Sequence, residues 1–426
     1  MNRAERRRQL KAARGPASKR EAALAQAARQ LGSGQPERAY QVLTRLLAAD
    51  ENDLDALHFA GVAKYQLGDY DAAMGHLDQA IELAPTYAEA HNSLGILHLE
   101  AGRADKAADC FRQAVAHRSD YANAYTNLGN ALRDGDALEE AVDAYLHALT
   151  QDPTATQPAY RLAATLISLG RAEDALGAIE ACLSIDPWCQ NALASKGIAL
   201  QMTGALNEAQ ALHDFDHLVQ PVEIEPPSEY DSIQAFNDVL AQAVHDNPSL
   251  TWEPLNRVTR HGAVTQDMLV KPIKPIRQFE QALRNAIDRY RDHLVADPEH
   301  PFLNRIPERY RLTFIASILK EGGWHPSHIH ESAWLSGVYY VDVPLAVAES
   351  ATVGDGATEA TTEDGGWLEF GQPDYQLPEG LKPFTKKFQP VSGLARFFPS
   401  YFFHGTIPFA GDGERIGIAF DVYPDV

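Results

Sequence analysis

Small and apolar positions recur with a period of 34 residues between about residue 21 and residue 212. A period of this length is typical of arrays in which each repeat is one pair of helices. The recurring residues are Gly34, Gly68, Gly102, Gly170 and Gly204 in one register, Ala39, Ala73, Ala107, Ala141, Ala175 and Ala209 in a second, and Gly61, Gly95, Gly129 and Gly197 in a third. The pattern predicts an array of about six helical hairpins.

The residue type at each recurring position fits a helical hairpin. Glycine in the first register suits the turn between two helices, because it adopts positive φ without strain. Pro85, Pro153 and Pro187 follow the second helix of their units and end it. Such units stack into a curved solenoid with a concave groove. We therefore expect an α-solenoid over residues 21–220 whose groove binds a protein or peptide; the alternative is a role only in dimerisation or support.

The helical period stops in a proline-interrupted connector over residues 213–232, and we place a domain boundary near residue 220. Residues 232–245 and 276–294 have helical spacing of apolar residues. The next segments are short and rich in β-branched and aromatic residues, at 310–319, 336–341, 366–370, 393–398 and 415–422. This order predicts a multidomain α+β protein in which residues 221–426 form a double-stranded β-helix, or jelly-roll, with supporting helices.

Two segments fall outside these patterns. Residues 1–20 contain eight Lys or Arg residues and one Glu, and we expect them to form a disordered basic tail. Residues 345–365 are rich in Ala, Thr, Gly, Asp and Glu. They are predicted to form a long mobile loop that serves as a lid.

The composition disfavours several classes of function. A formal net charge of −21 opposes nucleic-acid binding, because phosphate contacts need clustered cations. The three cysteines, Cys110, Cys182 and Cys189, lie within the repeats without a CxxC pair, which indicates a reducing compartment. No apolar run approaches the ~20 residues of a membrane span, and the N-terminus lacks the apolar region of a signal peptide. We expect a cytoplasmic protein that binds neither nucleic acid nor membrane.

Three histidines lie within six residues in the segment 325–330. Residues at i and i+2 on a strand face the same side, so His328 and His330 are expected to point to one site. His404, from a distant strand, would complete three metal ligands. Three protein ligands leave open positions, as in catalytic metal sites. We interpret His325 as a residue outside the ligand set that supports the site or faces solvent.

Arg415 begins a predicted strand on which Gly417, Ala419 and Asp421 share its face. Glycine and alanine beside an inward-facing arginine leave room for a bound group. A guanidinium in such a place can bind a carboxylate through two parallel hydrogen bonds. The alternative is a buried ion pair between Arg415 and Asp421.

Two parts of the chain resemble known families. The repeats, with Asn92-Ser93-Leu94-Gly95 and Tyr125-Thr126-Asn127-Leu128-Gly129, are similar to tetratricopeptide repeats, which usually hold a peptide or protein. Residues 305–426 resemble Fe(II)- and 2-oxoglutarate-dependent oxygenases. The motifs that carry the second resemblance are His328-Ile329-His330, Leu335-Ser336-Gly337-Val338-Tyr339-Tyr340, Phe398-Pro399-Ser400 with His404, and Arg415-Ile416-Gly417-Ile418-Ala419-Phe420.

The second resemblance implies Fe(II) as the metal and 2-oxoglutarate and O2 as co-substrates. It implies that His328 and His404 bind iron and that Arg415 binds the distal carboxylate of 2-oxoglutarate. Further candidates for orienting this co-substrate are Tyr339, Tyr340 and Ser400. The implied reaction converts 2-oxoglutarate to succinate and hydroxylates an unactivated C–H bond, and no catalytic residue beyond the metal site is implied.

The chain departs from this family at one ligand position. Most members have Asp or Glu two residues after the first histidine, where this chain has His330. Three explanations are open. His330 is itself the third ligand, which we favour; a carboxylate such as Glu331 or Asp364 moves into the site; or the site is degenerate.

The predicted function is that of a 2-oxoglutarate-dependent dioxygenase that hydroxylates a protein or peptide. Repeats fused to a catalytic domain would raise the local concentration of such a substrate. Two alternatives are an adaptor or scaffold whose barrel has lost its chemistry, and an oxygenase of small molecules whose repeats serve assembly.

Overall fold

The computed structural model describes residues 16–254, 258–349 and 364–425. The chain divides after Thr165 into two compact units. Residues 1–15 of the predicted tail and residues 350–363 of the predicted lid lie outside the described part. The helix Pro16–Gly32 takes in residues 16–20 of the predicted tail, since a proline is well suited to the first position of a helix. The short helix Leu345–Ala348 takes in the beginning of the predicted loop.

Helical hairpins make up the described part of the first unit, which confirms the predicted helical repeats. The helices are Pro16–Gly32, Pro36–Ala49, Leu54–Gln66, Tyr70–Leu83, Ala88–Glu100, Ala104–His117, Ala122–Asp134 and Leu138–Gln151, and Thr156–Ser168 spans the division between units. Gly34, Gly68 and Gly102 adopt φ values of 66°, 76° and 67° in the turns. Asp136, with φ of 61°, takes the left-handed position in the repeat that lacks this glycine.

Gly129 lies where the two helices of one hairpin cross. A β-carbon on Gly129 would lie 2.5 Å from the ring of Tyr145, which is closer than non-bonded atoms approach. We therefore expect Gly129→Ala to lower the free energy of unfolding by ~1–3 kcal/mol, because it overpacks the crossing. Chemical denaturation followed by circular dichroism measures this change.

Gly75→Ala is the matched control for Gly129→Ala. Gly75 also lies inside a helix of the first unit, but the space around it is open. Because alanine favours a helix over glycine by ~1 kcal/mol, this variant should be as stable as the parent or more stable. If Gly129→Ala behaves like Gly75→Ala, the close crossing at Gly129 is wrong.

The second unit contains the last repeat helices together with the β-sheet. Its helices after Ser168 are Ala172–Ile185, Gln190–Met202, Leu206–Leu212, Phe215–Leu218, Ile233–His245, Lys274–His293 and Leu345–Ala348, with a 3-10 turn at Leu303–Arg305. Leu193 and Leu212 are buried in the same core as Phe402, and the hydroxyl of Tyr401 donates to the carbonyl of Leu212 at 2.7 Å. The division after Thr165 thus falls inside the repeats, ahead of the predicted boundary near residue 220. Within the described ranges, none of the helices combines the length and apolar character needed to cross a bilayer.

Ten strands form the sheet in the described part of the second unit. They are β1 (Gln220–Glu223), β2 (Thr251–Trp252), β3 (Arg260–Val264), β4 (Tyr310–His328), β5 (Leu335–Asp342), β6 (Leu368–Phe370), β7 (Lys386–Phe388), β8 (Leu394–Pro399), β9 (His404–Thr406) and β10 (Arg415–Pro424). β1 comes from the predicted connector and pairs with β8. Pro221 is tolerated there because β1 lies at the edge of the sheet.

The strands pair antiparallel in the order β1-β8-β5-β10-β4-β9-β6-β7, with β3 also beside β4 and β2 beside β3. β4 joins the two halves of this curled sheet, because its first part pairs with β10 and its last part with β9. The change of direction falls near Gly322, whose φ is 72°. This arrangement confirms the predicted jelly-roll type of fold, with the supporting helices Ile233–His245 and Lys274–His293.

Alternation along the strands decides which side chains face the supporting helices. On β5, Tyr339 packs against Phe279 of the helix Lys274–His293, with ring centres 5.0 Å apart. Its neighbours Val338 and Tyr340 therefore point to the opposite face. Val338 lines a cavity of about 440 Å³ on that face, and this cavity holds the candidate site.

Candidate metal centre

Two paired strands and the segment after one of them bring three histidines together. His328 at the end of β4 is the partner of His404 at the start of β9. The ring centres are 4.4 Å apart for His328 and His404, 5.2 Å for His328 and His330, and 5.1 Å for His330 and His404. One ligand atom from each of the three lies within 4.8 Å of the others. His330 falls two residues beyond the end of β4, so strand alternation is not what brings it beside His328.

The Nδ1 atom of each histidine already has a partner in the protein. His328 Nδ1 lies 2.9 Å from the carbonyl oxygen of Pro326, and His404 Nδ1 lies 2.9 Å from that of Phe402. A carbonyl only accepts, so Nδ1 carries the proton in both rings and Nε2 keeps its lone pair. His330 Nδ1 lies 2.6 Å from Oδ1 of Asp421. The Nε2 atoms are therefore the ones left for a metal, as in metal sites whose ligands are oriented by surrounding groups.

Burial keeps two of these imidazoles uncharged at neutral pH. Burial, with a smaller contribution from the nearby His330, lowers the pKa of His328 to about 4. Burial and the neighbouring histidines also hold the pKa of His404 well below its usual range. A histidine must be neutral to bind a metal, so these side chains meet that requirement before a metal arrives.

Asp421 fixes His330 and is itself held by hydroxyl groups. Ser336 donates to Oδ1 of Asp421 at 2.6 Å, and Tyr423 donates to Oδ2 at 3.3 Å. Ser336 in turn lies 2.8 Å from the hydroxyl of Ser400. Burial opposes ionisation of Asp421, but His330 and the hydroxyl groups together keep the pKa of Asp421 below its usual value. A carboxylate is thus present next to the histidine group, in contact with Nδ1 of His330.

Arg415 lies in the same cavity and does not form the alternative ion pair with Asp421. Its side chain is 2% exposed, and its Nε has no hydrogen-bond partner among the described residues. The guanidinium carbon lies 5.0 Å from the ring centre of Tyr340. Burial lowers the pKa of Arg415 from its ordinary value. A buried guanidinium with an unused donor is suited to bind a carboxylate that enters the cavity.

Tyr339, Tyr340 and Ser400, the three residues predicted to orient a co-substrate, have different surroundings in the structure. Tyr340 contacts Arg415, as described. Tyr339 points away from the cavity, and its hydroxyl donates to Asn237 at 2.6 Å; its predicted role is wrong because alternation places it on the other face of β5. Ser400 is fully buried and does not line the cavity. Its hydroxyl contacts that of Ser336, and its carbonyl oxygen accepts from the backbone N–H of His330 at 3.1 Å.

Neither carboxylate considered as a replacement ligand belongs to the histidine group. Glu331 accepts a hydrogen bond from Asn191 at 3.0 Å. Asp364 forms an ion pair with Lys387 at 2.8 Å. Across the described ranges, the histidine group that could hold a metal includes neither of them. The geometry thus favours His330 over both.

His325 faces the cavity and not the solvent. It lies on β4 opposite Thr406 of β9, and its Nδ1 is 3.2 Å from the hydroxyl of Thr406. Burial, and to a smaller extent the charge of Arg415, lower the pKa of His325 to about 3. It is therefore a neutral side chain near the arginine. This position is not predictable from the sequence, because it depends on the pairing of β4 with β9.

The cavity combines an apolar wall with a few polar groups at defined places. It is lined by Thr259, Val264, Ile315, Ser317, His325, His328, His330, Val338, Leu368, Phe398, His404, Thr406, Arg415, Ala419 and Asp421, among others. The predicted shared face of Arg415, Ala419 and Asp421 is present on β10. The contact between Asp421 and His330 is not predictable from the sequence, which indicates only that Asp421 shares a strand face with Arg415.

Family models match two parts of the chain. Residues 315–421 match the family described as "Putative 2OG-Fe(II) oxygenase". Residues 61–102 match a family described as TPR repeat, and residues 92–156 match one described as tetratricopeptide repeat. A search among curated proteins finds no match.

Two solved structures among those similar to this chain are MamA and YrrB. MamA from Desulfovibrio magneticus RS-1 is 24% identical, with a TM-score of 0.36, over 39% of this chain and 94% of that one. YrrB, described as a TPR protein with an unusual peptide-binding site, is 18% identical, with a TM-score of 0.38, over 41% of this chain and 91% of that one. From the family matches, the chain joins tetratricopeptide repeats over residues 61–156 to a domain of the 2OG-Fe(II) oxygenase type over residues 315–421.

Proposed function

We propose that the chain is an Fe(II)- and 2-oxoglutarate-dependent dioxygenase that hydroxylates a protein or peptide recruited by its repeats. One observation carries this proposal. Three histidines with their Nδ1 atoms already hydrogen-bonded face the same cavity as a buried arginine that has an unused donor. A site that only stabilised the fold would have no need to place three possible metal ligands beside an arginine with an unused donor.

His328, His330 and His404 are the proposed ligands of Fe(II). Neutral imidazole is a suitable ligand for this ion, and three ligands leave room for other groups. Bound there, Fe(II) supplies the oxidising chemistry in which O2 and 2-oxoglutarate yield succinate, CO2 and one hydroxyl group on the substrate. The protein residues hold the reacting groups in place and shield them from water.

Arg415 is the proposed anchor of 2-oxoglutarate. It binds the distal carboxylate, and its burial strengthens this charge-assisted interaction because little water competes for the donors. Tyr340 packs against the guanidinium and keeps it from turning away. His325 and Thr406, joined by a hydrogen bond, lie in the same cavity and limit the space beside the anchor.

We propose that Asp421 supplies the negative charge that a carboxylate ligand supplies in most members of the family. In place of binding iron directly, this carboxylate accepts from Nδ1 of His330 at 2.6 Å. Such a contact fixes the ring and makes the opposite nitrogen a stronger ligand. The arrangement retains one negative charge close to the metal while His330 occupies the third position.

We expect Asp421→Asn to lower the affinity for Fe(II) by roughly 10- to 100-fold, the usual range for removal of a group behind a metal ligand. The asparagine oxygen can still accept a hydrogen bond from His330. The loss of Fe(II) affinity is therefore due mainly to the missing negative charge of Asp421. Anaerobic isothermal titration calorimetry with Fe(II) measures it. Asp364→Asn is the control and should bind iron like the parent. An unchanged affinity in Asp421→Asn, or a loss in Asp364→Asn, would contradict the assignment.

The repeats are the proposed recruiting part of the chain. Tetratricopeptide repeats commonly bind peptide segments of other proteins. A substrate held by the same polypeptide reaches the cavity at a raised effective concentration, without any new contact at the site of chemistry. This favours a protein or peptide substrate over a small molecule.

A turnover assay tests the proposed function. The full chain is loaded with Fe(II) under nitrogen, given 2-oxoglutarate and then exposed to O2, and succinate is measured. The proposal predicts succinate formation that requires iron and is lost in His404→Gln. If the chain binds iron stoichiometrically but forms no succinate, the result would support the adaptor alternative.

A further inference from the structure

A second cleft of about 400 Å³ lies beside the metal cavity. The walls of the cleft and of the metal cavity share Glu331, Ser332 and Tyr423. A molecule bound in the cleft is therefore adjacent to the metal cavity. The far wall of the second cleft comes from the start of the repeat helix Gln190–Met202 and from Trp188 just before it. The cleft is therefore built by a repeat and by the β-sheet, both within the second unit.

Two arginines line this cleft, each with one face of its guanidinium against an aromatic ring. The guanidinium carbon of Arg305 lies 4.6 Å from the ring centre of Trp188, and that of Arg311 lies 4.3 Å from the ring centre of Tyr423. Stacking occupies the face of a guanidinium and leaves its N–H edge available. Among the described residues, neither arginine forms an ion pair, although the chain contains 58 acidic residues against 37 basic ones.

The acidic side chains of the cleft have other partners. Asp186 accepts from the backbone N–H of Trp188 at 3.0 Å. Glu331 accepts from the side-chain amide of Asn191, also at 3.0 Å. Both acids thus contact groups of the repeat segment and leave the two arginines to a molecule from outside.

Gln190 provides an independent observation. Its side chain is 9% exposed and lines the cleft, and its Oε1 is buried without a hydrogen-bond partner among the described residues. A buried acceptor without a partner costs ~1–3 kcal/mol. Oε1 accepts and cannot donate, so the group that would satisfy it must carry an N–H or O–H, as a peptide backbone does.

We propose that this cleft binds an acidic residue of an extended peptide whose neighbouring side chain enters the metal cavity. The aspartate or glutamate lies against the N–H edges of Arg305 and Arg311, and a backbone N–H of the peptide donates to Gln190. The substrate class is thus a peptide with an acidic residue close to the hydroxylated one. This rests on the proposed function, because that function supplies the reason for a peptide to enter the cavity.

A nucleic acid fits these observations less well. Its phosphates would meet a chain with a net charge of −21, and two arginines are few for a charged backbone. Arginines cover one face of Trp188 and one of Tyr423, and Phe302 stacks on Trp334 with ring centres 4.8 Å apart. These faces are therefore not open to stack on bases. A single carboxylate between two guanidinium edges matches the number of free donors better.

The test uses the full chain and a phage-displayed library of random dodecapeptides. Selection is run in parallel on the parent, on the double variant Arg305→Gln/Arg311→Gln, and on Arg309→Gln. Arg309 is an exposed arginine of the same segment that does not line the cleft, so it controls for net charge. We expect peptides from the parent and from Arg309→Gln to share an acidic position, and peptides from the double variant to lack it.

A double-mutant cycle then measures the contact. An acidic peptide selected on the parent is labelled, and its affinity is compared with that of its Glu→Gln form by fluorescence anisotropy. The parent should prefer the acidic form by about tenfold or more, as expected for a charge-assisted hydrogen bond. The double variant should bind both forms alike. An equal preference in the parent and in the double variant, or no shared acidic position after selection, would overturn the proposal.

This experiment is separate from the test of the enzyme. Peptide binding is measured without metal or O2, while the oxygenase activity is measured as succinate released by the iron-loaded chain. An acidic preference without succinate would retain the cleft and reject the enzyme. Succinate without an acidic preference would retain the enzyme and reject the cleft.

Discussion

Replacement of His404 with alanine is expected to abolish tight binding of Fe(II). The side chain is 6% exposed, and it lies opposite His328 in the strand pairing. Without it, two ligands remain, and the loss in affinity should exceed the roughly 10- to 100-fold that follows removal of a supporting group. Anaerobic calorimetry with Fe(II) measures the loss directly. This is the largest effect that we expect of any single substitution.

Two further variants make this result interpretable. His325→Ala removes a histidine from the same cavity that is not part of the three-histidine group, and it should bind iron like the parent. His404→Gln keeps more of the buried volume and should also lose iron. Folding of the second unit is read from tryptophan fluorescence, because all five tryptophans follow Thr165. A folded His404 variant with the iron affinity of the parent would show that His404 is not a ligand.

Arg415→Lys is expected to weaken the binding of 2-oxoglutarate by about 1–3 kcal/mol, or roughly 5- to 150-fold. Lysine keeps the positive charge but lacks the two parallel donors of the guanidinium. Iron affinity should stay close to that of the parent, since the histidines hold the metal. The stability of the fold should also change little through ion pairing, because Asp421 pairs with His330 and not with Arg415.

Calorimetric titration of 2-oxoglutarate into the iron-loaded variant under nitrogen measures this effect. The iron affinity of the same preparation is the internal control for an intact centre. An unaltered affinity for 2-oxoglutarate in Arg415→Lys would rule out the anchor role. A fall in stability with no change in that affinity would assign Arg415 to structure alone.

The repeats were predictable because their signals are local. A residue with positive φ in the turn, glycine in most repeats, and a glycine at the helix crossing follow from steric demands within one hairpin. The same demands recur every 34 residues. The strands were predictable in part, because β-branched and aromatic runs mark them. The sequence does not indicate that Leu193 and Leu212 of the last repeats share a core with Phe402, since that depends on contacts between distant segments.

At the candidate site, too, the contacts between distant segments could not be predicted from the sequence. His328, His330 and His404 were predicted from spacing and from the resemblance, but the reason given for His330 was wrong because β4 ends at His328. Tyr339 and Tyr340 cannot be told apart until the inward face of β5 is known. The alternative ion pair between Arg415 and Asp421 rests on a shared strand face alone, whereas Asp421 contacts His330, from a segment 91 residues earlier.

We propose that one cavity binds both Fe(II), through three histidines, and 2-oxoglutarate, through Arg415. The most direct measurement is the titration of 2-oxoglutarate into the full chain under nitrogen, with and without Fe(II). We expect one 2-oxoglutarate to bind per chain when iron is present, with much weaker binding when iron is absent. Binding that is the same with and without iron, or no binding in a chain saturated with iron, would contradict it.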